Sequence, residues 1–175
     1  MIEKGLAEKA GRVRLILMDV DGVLTDGGLF YLADGSEVKV FNVRDGAGIK
    51  LAQRAGIRTG IISGRESDAA LRRAEELGME EIHQQVEDKK ATYEEIIGRL
   101  EVADEEVCFI GDDLVDLPVM RRVGLPAAPC DAHPSVLGYV SLVASRGGGR
   151  GAVREVIDLI LQAKDKWREV TAPYV

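Results

Sequence analysis

Short apolar runs alternate along the chain with longer segments in which apolar residues recur every three or four positions. The runs are nearly continuously apolar, which is typical of strands that are covered on both faces of a sheet. An alternation of such strands with helical segments predicts βαβ units and a parallel sheet. The runs occupy residues 13–20, 57–62, 82–85, 106–110, 125–129 and 138–144.

The segments between the runs have the period of amphipathic helices. The spacing i, i+3, i+4, i+7 is followed by Tyr93, Ile96, Ile97 and Leu100, and residues 153–160 repeat it. Three of the helical patterns are followed by a glycine, the residue that commonly ends a helix. These glycines are Gly56, Gly78 and Gly124. We therefore predict an α/β fold, a Rossmann-like parallel sheet with helices on both faces.

One segment departs from this rhythm. Residues 28–42 consist of two alternating stretches on either side of Asp34-Gly35, a pair that favours a hairpin turn. We predict a β-hairpin that projects beside the end of the first strand. Its apolar side chains fall on both faces of the ribbon, more than a solvated hairpin is expected to expose. They are Leu29, Phe30, Tyr31, Val38, Val40 and Phe41.

Length and charge narrow the possible classes of protein. The 175 residues suggest a single domain, 1–175, whose last part from about 164 to 175 is a polar tail. The 23 basic and 30 acidic residues give a net charge of −7, so we expect neither nucleic acid nor a membrane as a partner. Residues 1–12 lack the apolar core of a signal peptide, and two cysteines make no disulfide framework. These features predict a cytoplasmic protein.

Polar side chains cluster where the predicted strands end. Asp19 and Asp21 follow the first strand, Ser63 follows the second, and Asp112 follows the strand at 106–110. Lys89 opens a later helix. Each residue alone is typical of a helix cap, a turn or a solvated surface. Because the carboxyl ends of parallel strands meet at one edge of a sheet, however, we expect all five side chains to converge there.

Such a cluster suits a divalent cation and a phosphate. Neighbouring carboxylates repel one another, and Mg²⁺ relieves that repulsion while sharing phosphate oxygens. A hydroxyl can donate a hydrogen bond to the phosphoryl oxygens, and an ammonium group balances their charge. Aspartate can also attack phosphorus and form an aspartyl-phosphate, and a second acid two residues along the chain can protonate the leaving alcohol. The sequence therefore predicts a Mg²⁺-dependent phosphoryl-transfer site.

In the order DVDGVLTD, SGR, Lys89 and GDDLVD, these motifs resemble the four motifs of the haloacid dehalogenase-type phosphatases. The resemblance implies that Asp19 is the nucleophile and a metal ligand. It implies that Asp21 is the general acid and base and also a metal ligand, through its backbone carbonyl. Ser63 and Lys89 would hold the transferring phosphoryl group, and Asp112 would be the third metal ligand.

Longer stretches resemble one branch of that family. FNVRDGAGI, SGRES, GDDLVDLPVM, DAHP and GGRGAVREV, within residues 12–163, are similar to the 3-deoxy-D-manno-octulosonate 8-phosphate phosphatases. These enzymes are phosphoric monoester hydrolases of lipopolysaccharide precursor synthesis, and they have no cap domain. The resemblance implies a set of contacts to the sugar acid phosphate. The implied contacts are Asn42, Val43, Arg44, Asp45, Gly46, Lys50, Arg65, Arg73 and Lys89.

A phosphatase without a cap leaves its active site open, so water must be excluded by another element. The resemblance implies a homotetramer in which a neighbouring subunit covers the site and hairpins meet at the centre. The glycine-rich loop at 147–151 is either a flexible connection or a strip that reaches a neighbour. The residues leave these two interpretations open.

Three alternatives to the leading function remain at this point. The same chemistry could act on a nine-carbon sugar acid 9-phosphate, because the motifs around the phosphate do not measure the length of the sugar. A phospho-accepting signalling receiver also clusters aspartates and a lysine on a parallel sheet, but its paired acids are arranged differently. A non-catalytic module of the same fold would tolerate loss of the nucleophile, which is present here as Asp19.

Overall fold

The computed structural model describes residues 3–174, and its central sheet contains six parallel strands in the order β5-β4-β1-β6-β7-β8. A separate antiparallel pair, β2 and β3, forms the predicted hairpin. The strands are β1 (Leu15–Met18), β2 (Phe30–Tyr31), β3 (Glu37–Val38), β4 (Arg58–Ile62), β5 (Glu81–His83), β6 (Val107–Ile110), β7 (Leu125–Ala128) and β8 (Leu142–Val143). The helices are α1 (Lys4–Arg12), α2 (Val43–Arg54), α3 (Asp68–Glu76), α4 (Lys89–Leu100), α5 (Leu117–Met120), α6 (Pro134–Leu137), α7 (Ala152–Ala163) and α8 (Trp167–Thr171). The predicted α/β class with a parallel sheet is confirmed.

Helices cover both faces of the sheet because the strand side chains alternate between them. Ile16 and Met18 of β1 pack with residues of α1, α2, α3 and α7. Leu15 and Leu17 point the other way and pack with residues of α4, α5 and α6. All four side chains are fully buried, which explains why the strand is continuously apolar.

The central strands end together. Met18 pairs with Ile61 of β4 on one side and with Ile110 of β6 on the other. From β1 the chain continues to β4 and β5 on one side of β1 and then crosses to β6 on the other side. The order of the strands therefore reverses at β1. Ligands of open α/β sheets bind in the crevice that such a reversal creates at the carboxyl ends of the strands.

The segment between β1 and α2 contains the hairpin and no cap domain. Its strands are only two residues long, shorter than the predicted range of 28–42, and they are joined around Gly35. Six apolar side chains of the segment are exposed in the single chain. They are Leu29, Phe30, Tyr31, Leu32, Val38 and Val40.

Two other segments differ from expectation. The predicted strand at 138–144 is reduced to Leu142–Val143, because α6 and the turn after it occupy the preceding residues. The predicted tail forms α8 and a 3₁₀ turn, and Val170 of α8 is buried in the core. Val175, which belongs to that tail, lies outside the described residues. None of the helices described in residues 3–174 is long and apolar enough to cross a membrane.

Candidate active site

Asp19 lies at the carboxyl end of β1 and is almost completely buried. Its backbone N–H continues the sheet by donating to the carbonyl of Ile110 at 3.0 Å. One carboxylate oxygen, Oδ1, accepts from the backbone N–H of Val20 at 2.7 Å. The other, Oδ2, lies 3.0 Å from Nζ of Lys89. The carboxylate is therefore held in a fixed orientation by one backbone donor and one cation.

Lys89 connects Asp19 to Asp116. It opens α4, whose first turn is capped by Asp88, and its Nζ donates to Oδ1 of Asp116 at 2.7 Å. The second oxygen of Asp116 accepts from the backbone N–H groups of Asp112 and Asp113 at 3.0 and 3.3 Å. Both oxygens of the fully buried Asp116 are thus satisfied by the protein. Asp116 thereby orients both Lys89 and the loop that carries Asp112.

Asp112 is the carboxylate of the cluster that has a buried oxygen without a donor among the described residues. Its Oδ1 is buried and has no hydrogen-bond partner within residues 3–174. Gly22, in a left-handed conformation at φ +87°, passes so close that a Cβ there would lie 2.0 Å from Oδ2 of Asp112. One oxygen from each of Asp19, Asp112 and Asp116 lies within 4.8 Å of the others. An unpaired buried carboxylate oxygen beside a second carboxylate fits a hard divalent cation such as Mg²⁺.

Burial and mutual repulsion change the proton affinity of the cluster. Burial raises the pKa of Asp19 to about 6, with Asp116 also raising it and Lys89 lowering it. Burial, together with the charges of Asp116, Asp19 and Asp113, raises the pKa of Asp112 to about 7. Burial disfavours the charged form of Lys89, but Asp19 and Asp116 outweigh it and raise the pKa of that ammonium group. Without a cation, the cluster therefore retains protons that ordinary carboxylates have lost.

Asp21 lies at the mouth of the cluster and is bound by residues of the hairpin. Lys39, whose side chain is only 1% exposed, forms an ion pair with Oδ1 of Asp21. Nε of Arg65 lies 3.4 Å from Oδ2. Glu37 accepts from both cations: its Oε1 lies 3.0 Å from Lys39, and its Oε2 pairs with Arg65. The hairpin therefore brings two charged residues to the site within one chain.

Lys39 and Glu37 were not predicted as site residues. The signal for them was present in the sequence, because residues two apart on a strand face the same side. The alternation in Glu37-Val38-Lys39 puts both charges on one face of the ribbon and Val38 on the other. The prediction treated the hairpin as an apolar contact surface and overlooked this charged face.

Ser63 completes a cavity of about 240 Å³. The residue follows β4 and is buried, and its hydroxyl accepts from the backbone N–H of Arg65 at 3.3 Å. The structure thus brings together all five residues that were expected to converge. The lining consists of Asp19, Asp21, Ser63, Gly64, Arg65, Lys89, Asp112, Asp113 and Val115.

Most of the predicted sugar contacts lie outside this cavity. Asn42 caps α2 through the backbone N–H of Arg44, and its amide donates to the carbonyl of Gly149 at 3.2 Å. Val43 and Arg44 are exposed. The carboxylate of Asp45 is buried and accepts from the backbone N–H groups that begin α7, at Gly151 and Arg154.

The remaining predicted contacts are spread along α2 and α3. Gly46 packs closely against the guanidinium of Arg73. A Cβ at Gly46 would lie 2.2 Å from that group, so a larger residue does not fit there. Lys50 is exposed, and its ammonium group lies near Gly78, just after the C-terminal end of α3. Of the sugar contacts, only Arg65 and Lys89 line the cavity, and for the others contact with a substrate stays a prediction.

Comparison with known proteins gives a consistent family. The sequence model described as haloacid dehalogenase-like hydrolase matches residues 37–124, a range that contains Ser63, Lys89 and Asp112. A 3-deoxy-D-manno-octulosonate 8-phosphate phosphatase of Yersinia pestis is 45% identical over 164 residues, which cover 94% of this chain and 88% of the relative. The same-named protein of Escherichia coli K12 is 44% identical over 92% of this chain and 86% of its own length.

Solved structures agree with the sequence relatives. The phosphatase of Yersinia pestis superposes with a TM-score of 0.93 at 44% identity, covering 95% of this chain and 90% of that one. The phosphatase of Moraxella catarrhalis, solved with a magnesium ion, a phosphate ion and a KDO molecule, has a TM-score of 0.96 at 34% identity. That match covers 99% of this chain and 100% of the other. These matches exclude the signalling-receiver alternative, and the chain belongs to the haloacid dehalogenase-like hydrolases, in the family of the 3-deoxy-D-manno-octulosonate 8-phosphate phosphatases.

Proposed function

We propose that the protein is a Mg²⁺-dependent phosphomonoesterase that converts 3-deoxy-D-manno-octulosonate 8-phosphate to the free sugar acid and phosphate. The observation that carries this proposal is the buried Asp19 carboxylate, which is held by Lys89 and has an oxygen within 4.8 Å of one of Asp112, in a cavity of about 240 Å³. The relatives named for this reaction support it, as does the neighbour structure that contains magnesium, phosphate and KDO.

Asp19 supplies the nucleophile. Its carboxylate oxygen forms a bond to phosphorus while the bond between phosphorus and the sugar oxygen breaks, which gives an aspartyl-phosphate and an alkoxide. Lys89 and the Ser63 hydroxyl bind oxygens of the transferring group. When it is bound by Asp19, Asp112 and the backbone carbonyl of Asp21, Mg²⁺ supplies charge neutralisation for those oxygens.

Asp21 moves the protons. It gives one proton to the departing alkoxide and, in the second step, takes one from the water that attacks the aspartyl-phosphate. In this structure Asp21 is ion-paired with Lys39 and Arg65. We infer that an entering substrate draws these two cations toward its own phosphate, because the two negative groups compete for them, and frees Asp21 to take up a proton.

Phosphate release from two substrates tests the proposal. We expect kcat/KM for the octulosonate 8-phosphate to exceed that for a nine-carbon sugar acid 9-phosphate by at least tenfold, since misfit of one extra carbon unit costs about 1–3 kcal/mol. Asp19→Asn serves as the control, because an amide cannot attack phosphorus. Equal, low rates on both substrates would contradict the octulosonate assignment, and a near wild-type rate of Asp19→Asn would contradict the nucleophile.

We infer that a neighbouring copy covers the cavity in a homotetramer. Leu32 and Val40 of the hairpin segment are 56% and 68% exposed in the single chain. A cluster of large exposed apolar side chains is typical of an interface. Light scattering on Val40→Glu tests this inference, with Leu71→Glu on α3 as the control. We expect smaller particles and lower activity from the hairpin variant alone. A wild-type monomer with full activity would overturn the inference.

We further infer that the protein acts in the cytoplasm, in synthesis of a lipopolysaccharide precursor. Cys108 is a buried free thiol and Cys130 an exposed one, which suits a reducing compartment. Cell fractionation checks the location. Accumulation of the octulosonate 8-phosphate after deletion of the coding sequence checks the pathway.

A further inference from the structure

A second cavity, of about 440 Å³, lies beside the beginning of α7 and apart from the cavity around Asp19. Four of its lining residues are arginines, and we call it the arginine cavity. The two cavities have no lining residue in common. The arginine cavity is lined by Arg44, Leu142, Ser145, Arg146, Arg150, Gly151, Arg154, Glu155, Asp158, Leu159 and Gln162.

Two of the four arginines have acidic partners. Nε of Arg154 lies 2.6 Å from Asp158, and a terminal nitrogen of Arg150 lies 3.4 Å from Asp26. The guanidinium groups of Arg44 and Arg146 form no ion pair within residues 3–174. The unpaired charges therefore belong to one residue on α2 and one on the loop before α7.

The acidic side chains of the cavity do not compensate these charges. Glu155 is occupied by Ser145, whose backbone N–H and hydroxyl both donate to it at 2.8 Å. Counting Glu155 and Asp158 against the four arginines leaves a net charge of +2 in the lining. The whole chain carries −7, so this concentration of positive charge is opposite in sign to the net charge of the protein.

The backbone that carries the arginines is held in place. Asp45 accepts from the N–H groups of Gly151 and Arg154 at 3.2 and 2.8 Å, which joins the first turn of α7 to α2. Gly48 permits close packing there, since a Cβ at that position would lie 2.9 Å from Cδ of Arg154. The carbonyl of Arg146 accepts from the N–H of Cys130 at 3.0 Å. A fixed frame lowers the entropy lost when an anion binds.

We propose that the arginine cavity is a second anion-binding site, which takes a small molecule with two or more oxyanion charges. Guanidinium groups bind carboxylate and phosphate oxygens through paired N–H donors, and Arg44 and Arg146 have theirs available. The volume lies within the range of small-molecule sites and exceeds what a single oxyanion group fills. Phosphoryl and carboxylate groups share this chemistry, and the experiment separates them.

Calorimetric titration of metal-free protein at low ionic strength tests the proposal, with pyrophosphate in one arm and tricarballylate in the other. The protein is stripped on a chelating resin, because dissolved chelators are themselves polyanions. Without a divalent cation, the carboxylates around Asp19 disfavour anions in the catalytic cavity. Binding then reports on the arginine cavity, and the arm with the tighter binding identifies the preferred group.

Arg146→Gln is the informative variant, because it removes an exposed, unpaired charge. Arg12→Gln, which removes an exposed arginine on α1, is its matched control. We expect one site per chain, with affinity lowered at least tenfold by Arg146→Gln and less than twofold by Arg12→Gln. The proposal is overturned if wild-type protein binds neither probe, or if both variants weaken binding equally, because the effect would then be general electrostatic attraction.

Discussion

Replacing Asp112 with Asn is expected to stabilise the metal-free protein while it removes the metal-dependent activity. The folded protein holds this carboxylate with a pKa of about 7, against an ordinary value of 3.8. Its ionisation is therefore unfavourable in the folded state, because of burial and the charges of Asp116, Asp19 and Asp113. Asn has nearly the same shape and never carries the charge.

The size of the gain follows from the pKa. A shift of about three units corresponds to about 4 kcal/mol, at 1.36 kcal/mol per unit. Asp112 is only half-buried, so solvent screening reduces the expected free-energy gain to about 2 kcal/mol. With an unfolding entropy of about 2.1 cal/mol/K per residue, a chain of this length should show a Tm about 5 °C higher.

The pH dependence distinguishes this cause from others. A carboxylate with a raised pKa makes the folded state bind more protons than the unfolded state, so stability falls as the pH rises from about 4 to about 7 and stays level above. The increase in Tm caused by Asp112→Asn should therefore be absent at pH 4, grow up to pH 7 and then remain constant. Mg²⁺ should raise the Tm of the wild type and leave that of the variant unchanged.

Thermal unfolding followed by circular dichroism measures these Tm values, on protein freed of metal on a chelating resin. Asp165→Asn is the matched control, because Asp165 is exposed, lies outside this cluster, and has a left-handed backbone conformation that Asn also adopts. An advantage of Asp112→Asn that does not change with pH, or a Tm below that of the wild type at pH 8, would refute the interpretation that charge repulsion strains this site.

Three further predictions concern the same cluster. Asp116→Ala should lower the Tm by about 10 °C in thermal unfolding, because removing one partner of a buried ion pair costs about 3–5 kcal/mol; a change below about 2 °C would contradict this. Calorimetry should find Mg²⁺ binding about 20-fold weaker at pH 6 than at pH 8, since protons on Asp112 and Asp19, with pKa values of about 7 and about 6, compete with the metal. Gly148→Ala should lower both Tm and kcat, because its Cβ would lie 1.9 Å from the carbonyl oxygen of Gly22, whereas Gly138→Ala, with open space around it, should change neither.

The strands and the convergence of the site were predictable because both follow from local pattern and sheet topology. A run such as 15–18 is apolar at every position only if both faces are covered, and parallel strands bring their carboxyl ends to one edge. These two facts place Asp19, Ser63 and Asp112 together before any coordinates are known.

Other parts of the fold and of the site depend on contacts between segments that are distant in the sequence. The periodicity of apolar residues does not indicate such contacts. The carboxylate of Asp45 accepts from backbone N–H groups at the start of α7, more than 100 residues away, and no pattern around Asp45 indicates these partners. Lys39 reaches Asp21 because the hairpin folds back over the rim, and the direction of that fold depends on packing. The arginine cavity likewise combines α2 with the loop before α7, so no single stretch of sequence contains it.

The differing roles proposed for the three carboxylates can be traced to backbone donors. Asp116 receives two N–H groups at one oxygen and Lys89 at the other, which makes three donors. Asp19 receives one N–H at one oxygen and shares Lys89 at the other, one donor fewer than Asp116. Asp112 donates its own N–H to Asp116 and receives nothing at Oδ1. The loop that positions Asp112 is thus fixed by the carboxylate with the most donors, and the carboxylate whose buried oxygen has none is the one that a cation stabilises most.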